Sequence, residues 1–172
     1  MPDSTGMGAE MSKCCGSGSC QATAAAVSAC PVSGHKGAAV ERQTVKALLT
    51  ETALIRIGRT AHRFCPEAAC DVVYFDAEGV CYTTCDVRVP VWHKEPFGNR
   101  IVCYCFEESE GQIRAEIATV GQSLAVERVR QHISAGRCAC EVRNPRGACC
   151  LGDVTAAVKR VEAALRSEVL PA

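Results

Sequence analysis

A surplus of charge of either sign is missing from this sequence: 19 basic residues are matched by 19 acidic ones in a chain of 172. A nucleic-acid or membrane-surface partner therefore gets no electrostatic support. Long apolar runs are missing too, and nothing approaches the ~20 apolar residues that span a bilayer. The N-terminal stretch has no basic start followed by an apolar segment, Ala24 to Val27 being too short for the core of a secretion signal. There is no Ser-His-Asp set, no glycine loop shaped to cradle phosphate and no evident pair of acid–base carboxylates, so turnover by side-chain chemistry is unsupported. No catalytic residue is expected, and an enzyme is not the leading expectation. Nor is there an internal repeat.

What is abundant is cysteine, with 14 residues. That usage suits either a disulfide framework in an oxidising compartment or metal thiolates in a reducing one. Without a targeting signal the expected location is cytoplasmic, where thiols stay reduced and clusters of cysteine serve as ligands.

Residues 1–29 hold Gly, Ser, Ala, Thr and Cys with almost no large apolar side chain, which predicts a disordered tail. Its Cys14, Cys15 and Cys20 are either scavengers of a soft ion or incidental thiols. Residues 30–95 predict a small β-hairpin unit. Asp71 to Phe75 reads as a strand, Asp76 to Gly79 as a turn, and Val87, Val89 and Val91 as a half-buried edge strand marked by Pro90. Thr44 is placed to cap a short helix carrying Val45, Leu48 and Leu49. Residues 96–172 predict a helical unit. Ser109 and Gln112 form a capping-box signature ahead of Ile113, Ile117 and Val120, and Gly121 ends that helix. Ser123 to Gly136 gives the second arm of a helical hairpin, with Val126, Val129 and Ile133 on one face. Asp153 caps a last helix whose Val154, Val158, Val161, Leu165 and Val169 form an apolar stripe, read as core ahead of a partner-docking face. The whole is an α+β fold.

Within the helical unit, Cys103-Tyr104-Cys105 can aim two sulfurs at one centre. After the hairpin, Asn144-Pro145-Arg146-Gly147 has the residues of a type I turn and returns the chain so that Cys149 or Cys150 comes beside Cys140. Four thiolates suffice for a 2Fe-2S cluster, and they also suffice for a closed zinc site. Earlier, Cys65 and Cys70 lead directly into a strand, as in a zinc knuckle beside a β-hairpin. Cys81 and Cys85, four apart, are expected on one face of a strand as small apolar residues. His62, His93 and His132 lack ligand spacing and are expected at the surface or as satisfied structural histidines, with Trp92 as core or interface filler.

Cys30-Pro31-Val32, Phe64-Cys65 to Cys70, Val72 to Phe75, Val102 to Cys105 and Asn144-Pro145 to Cys149-Cys150 together resemble the zinc and 2Fe-2S cluster-binding domain of CopZ-type copper chaperones. More loosely, the order of two cysteines, helical hairpin and two cysteines resembles the bacterioferritin-associated ferredoxin domain. The CopZ resemblance implies one zinc ion and one 2Fe-2S cluster. It carries the cluster ligands onto Cys103, Cys105, Cys140 and Cys150, leaving Cys138 as a spare or alternative ligand and Cys149 as packed or reactive. It places zinc on Cys30, Cys65 and Cys70, but a family cysteine is replaced here by Ser33, a poor zinc ligand. His35, Cys20, Cys81, Cys85 and water remain candidates for the fourth position. It further implies an iron-sulfur metallochaperone-like protein that handles or reduces a soft metal ion, copper, with transient Cu+. No Cys-x-x-Cys copper loop follows the last helix, so the expected recipient is a separate copper-binding protein or transporter. The alternative is a small 2Fe-2S electron-transfer protein with its own redox partner, and the third class is a zinc-only interaction module.

Overall fold

The structure is a computed structural model, and it describes residues 28–169. The tail cysteines Cys14, Cys15 and Cys20 and the side chain of Val169 lie outside the described residues.

A four-stranded antiparallel sheet with order β1-β2-β3-β4 organises the N-terminal part: β1 (Ala38–Val40), β2 (His62–Phe64), β3 (Val72–Asp76) and β4 (Cys81–Thr83). The expected hairpin is there, with Phe75 opposite Cys81 and the Asp76 side chain accepting from the Glu78 and Val80 amides to close the turn. Every residue of β3 is buried. A register irregularity between Val72 and Tyr74 breaks its alternation. Val73 and Tyr74 enter a core with Val45, Leu48, Leu49, Phe64 and Tyr82, while Val72 and Phe75 pack on Cys30, Cys65 and Cys70.

Several expectations are corrected. Val87, Val89 and Val91 form no strand; Val87 makes one isolated bridge to Leu49, and the segment is held by Arg88, whose amide donates to the Leu48 carbonyl. Pro90 lacks the amide a longer ladder would need. Thr44 does not cap its helix. Helix α1 (Arg42–Leu48) starts after Glu41, and Thr44 lies fully buried inside it, donating its hydroxyl to the Glu141 carbonyl at 2.6 Å. Helix α2 (Glu51–Leu54) follows, capped by Thr50. Cys81 and Cys85 do not share a strand, because β4 ends at Thr83 and Cys85 sits in a 3-10 turn over Thr84–Asp86. His62 is not at the surface: it is 2% exposed.

The C-terminal part begins with a short pair, β5 (Ile101–Cys103) and β6 (Glu108–Ser109), and continues as helices α3 (Glu110–Val120), α4 (Ala125–Ser134), α5 (Cys140–Arg143) and α6 (Leu151–Val169). The Ser109–Gln112 capping box forms, and Gly121 closes α3 in the left-handed conformation at φ 82°. Ser123 precedes α4 and its hydroxyl accepts from the Ala125 amide. Asp153 is not the cap of α6: the helix starts two residues earlier, and Asp153 in its first turn pairs with Arg146. Val154, Ala157, Val158 and Val161 of α6 meet Val102, Ile113, Ala125 and Val129 in a second core, so the described part of the stripe is core. Trp92 packs at the edge of that core.

Candidate metal centres

The N-terminal group is built by three turns of chain. In Cys30-Pro31-Val32-Ser33-Gly34 the Gly34 amide donates to the Cys30 carbonyl and the Cys30 amide to the His35 carbonyl, both at 2.8 Å, with Gly34 at φ 73°. Glycine tolerates that left-handed backbone. Cys65 leaves β2 with its amide on the Val73 carbonyl, and Cys70 enters β3 after a turn closed on Glu67. The result is three buried thiols, Cys30, Cys65 and Cys70, whose sulfurs all lie within 4.8 Å of one another.

Cys30 and Cys70 are 3.9 Å apart. Two thiolates on one tetrahedral ion with bonds of about 2.3 Å stand about 3.8 Å apart, so the pair fits. Burial pushes the Cys30 thiol up, but hydrogen bonds from the Ser33 amide and hydroxyl and the Val32 amide outweigh it and leave the thiol below its ordinary value. Burial dominates at Cys70, whose thiol is pushed up to about 11 despite a hydrogen bond from the Val72 amide. A cation at the centre favours the thiolates over the thiols.

Of the candidates for the fourth side, His35 is turned outward onto Glu67 at 3.1 Å. Cys81 packs against the group without joining its mutually close sulfurs, and Cys85 is exposed. Cys20 lies outside the described residues. Ser33 lies beside the group, its Oγ 3.4 Å from the Cys65 sulfur.

The C-terminal group draws on four elements. Cys103 ends β5, Cys105 lies in the turn after it, Cys140 opens α5, and Cys150 directly precedes α6, where its carbonyl accepts from the Val154 amide. Cys105 and Cys140 are 3.7 Å apart, again the edge expected of two thiolates on one ion. Cys103 and Cys150 are 2.8 Å apart, so this pair must open by about 1 Å to share an ion. The Cys150 thiol donates to Cys103 and lowers the Cys103 thiol to about 7, against burial that acts upward. The same bond and burial raise Cys150, and burial first of all raises Cys140 to about 12. Amides of Cys105, Phe106, Ala139 and Cys150 point at the sulfurs of Cys103, Cys105 and Cys140, and the start of the 19-residue α6 adds its positive end. These donors suit an anionic sulfur-rich group.

Cys138 packs at the edge of the second core and Cys149 is exposed. The Asn-Pro turn forms as expected, with the Gly147 amide on the Asn144 carbonyl at 2.7 Å. His132, expected at the surface or satisfied, stacks on Phe106 with centroids 4.2 Å apart. Two features were not legible in the sequence: the approach of Ser33 to Cys65, and the buried Arg100–Glu110 pair at 2.6 Å, joined by Arg160. Phe97 stacked on Arg100 could have signalled the latter only once the loop was folded.

Comparison with known proteins adds three findings. A CopZ-type zinc-finger family model, described as a zinc binding domain, matches residues 27–88. The crystal structure of the N-terminal domain of CopZ from Archaeoglobus fulgidus is similar at 29% identity and a TM-score of 0.62, covering 74% of this chain and 95% of that one. Among curated proteins none matches significantly.

Proposed function

We propose that this chain, which carries a CopZ-like domain, is a metal-handling protein of the metallochaperone type, holding zinc at Cys30, Cys65 and Cys70 and a 2Fe-2S cluster at Cys103, Cys105, Cys140 and Cys150. It handles or reduces a soft metal ion, copper, for a separate partner. One observation carries the reading: the fold gathers two separate groups of thiols, each with a sulfur pair spaced for one tetrahedral ion. A bound 2Fe-2S cluster supplies a one-electron couple. The chain's own part is to bury the sulfurs of Cys103, Cys140 and Cys150 and half-bury that of Cys105, to aim amides at them and to hold the start of α6 against them. Among the described residues no helix is long and apolar enough to cross a membrane.

The test is anaerobic purification followed by metal counting. About two iron, two acid-labile sulfide and one zinc per chain are expected. Cys140→Ser should remove the iron and leave the zinc, and Cys65→Ser should do the reverse. A colourless protein holding only zinc eliminates the cluster. Anaerobic copper titration then addresses the cargo: no tight Cu(I) binding and no change of the visible spectrum with Cu(II) would eliminate copper handling.

The second reading is a small electron-transfer protein. The order of the Cys103–Cys105 pair, the two helices α3 and α4, and Cys140 favours it. Fast reduction by a cellular electron donor, with no response to copper, would decide for it.

A further inference from the structure

The turn that delivers Cys30 to the N-terminal thiol group also delivers Ser33. Its hydroxyl is 3.4 Å from the Cys65 sulfur and hydrogen-bonded to Cys30. The three sulfurs are buried against Val72 and Phe75, whereas Ser33 is only half-buried and its neighbour Val32 is 60% exposed. The fourth side of the group is therefore both its oxygen side and its opening to solvent. His35, the other nearby donor, is held outside by Glu67. A neutral hydroxyl binds zinc more weakly than a thiolate, and soft ions favour sulfur over oxygen still more.

We propose that Cys30, Cys65 and Cys70 hold their ion by three sulfurs with the Ser33 hydroxyl as a displaceable fourth ligand, so that the ion leaves by exchange with an incoming thiolate. The inference rests on the assignment of zinc to these cysteines. In the exchange Ser33 departs as the neutral hydroxyl and keeps its proton, one ion–oxygen bond breaking as one ion–sulfur bond forms. No electron moves, and the site gains one negative charge, which weakens its hold on the remaining thiolates. An exposed apolar residue beside that opening gives an acceptor a foothold next to the ion.

The experiment uses the full chain with its iron in place, and Cys65→Ser supplies the background of zinc held elsewhere. X-ray absorption at the zinc edge should give three sulfurs and one oxygen in the wild type and four sulfurs in Ser33→Cys. Zinc release to a chromogenic chelator should accelerate with added glutathione in the wild type and in Ser33→Ala. Ser33→Cys should release at least about tenfold more slowly, the scale of losing one supporting ligand contact, and should not respond to glutathione. Four sulfurs around wild-type zinc, as Cys20 or Cys81 would supply, overturn the proposal while leaving the zinc site standing. Equal release from wild type and Ser33→Cys, or no effect of glutathione on the wild type, also overturns it. A wild-type chain holding no zinc above the Cys65→Ser background overturns the site itself.

Discussion

Tyr74 is fully buried, and its hydroxyl donates to the Pro145 carbonyl at 2.8 Å, so one side chain of the sheet satisfies the turn that positions Cys150. Replacing it with phenylalanine keeps the ring and strands that carbonyl. Tyr74→Phe should cost about 1–2 kcal/mol in chemical denaturation, the penalty of a buried acceptor left unpaired. An unchanged midpoint would mean that water reaches Pro145. At this scale the sequence is silent in an instructive way, since a tyrosine in an apolar strand announces burial but not the partner of its hydroxyl. The same holds for Thr44, which has the chemistry of a cap and instead spends its hydroxyl on Glu141, on α5. A hydroxyl takes the best acceptor the packed fold offers, and local sequence lists only the nearby ones.

Among elements, the turn from Asn144 to Cys150 carries the most consequence for the metal centres. Gly147 has φ 64°, and a Cβ there would lie 2.9 Å from the Thr44 hydroxyl. Gly147→Ala should therefore strain the backbone by about 1–2 kcal/mol and displace α1 from the turn. The expected result is a fall in iron per chain with zinc retained, read by metal analysis of the purified variant. Full iron in that variant would show that the turn does not set the position of Cys150. The elements most legible in the sequence were those with local chemistry: the Asp76–Gly79 turn, the Ser109–Gln112 box and the Asn-Pro turn each carry their hydrogen bonds within a few residues. Where an element depends on a distant partner, the expectation slipped. Val87 to Val91 alternate as a strand should, yet among the described residues they make one isolated bridge, Val87 to Leu49. α6 starts at Leu151 because Cys150, not Asp153, accepts its first amide bond.

Across the whole molecule the two parts are joined by α1 against α5, by Tyr74 to Pro145 and by His93, whose ring meets Phe64 at 5.2 Å and Trp92 at 4.0 Å. Burial lowers the His93 imidazole to about 4, with Arg146, Lys94 and Arg100 pushing the same way. The sign follows from proton counts. Between pH 6.5 and about 4 the unfolded chain binds a proton at this residue that the folded chain does not, so stability falls as pH falls through that window. Thermal melting of wild type and His93→Phe, compared from pH 7 to 5, should show the variant gaining ground on acidification. Metal counts on both chains at each pH separate the histidine from any loss of metal. Parallel curves would place His93 in contact with water.

Sequence alone determined what is decided within a few residues: the Asp76–Gly79 and Asn-Pro turns, the Ser109–Gln112 capping box with Gly121 at the end of its helix, and the short list of candidate cysteines. It also showed that a nucleic-acid or membrane-surface partner gets no support from net charge, because charge balance is a sum and needs no geometry. Only the tertiary structure decided which thiols meet. Cys150 reaches Cys103 across 47 residues while its neighbour Cys149 faces solvent, and Ser33 comes to rest beside Cys65. Those outcomes depend on how α6 docks on β5 and how the Cys30 turn folds over the sheet. Adjacent side chains point in different directions, and the direction that ends inside is set by long-range packing, which no local pattern encodes.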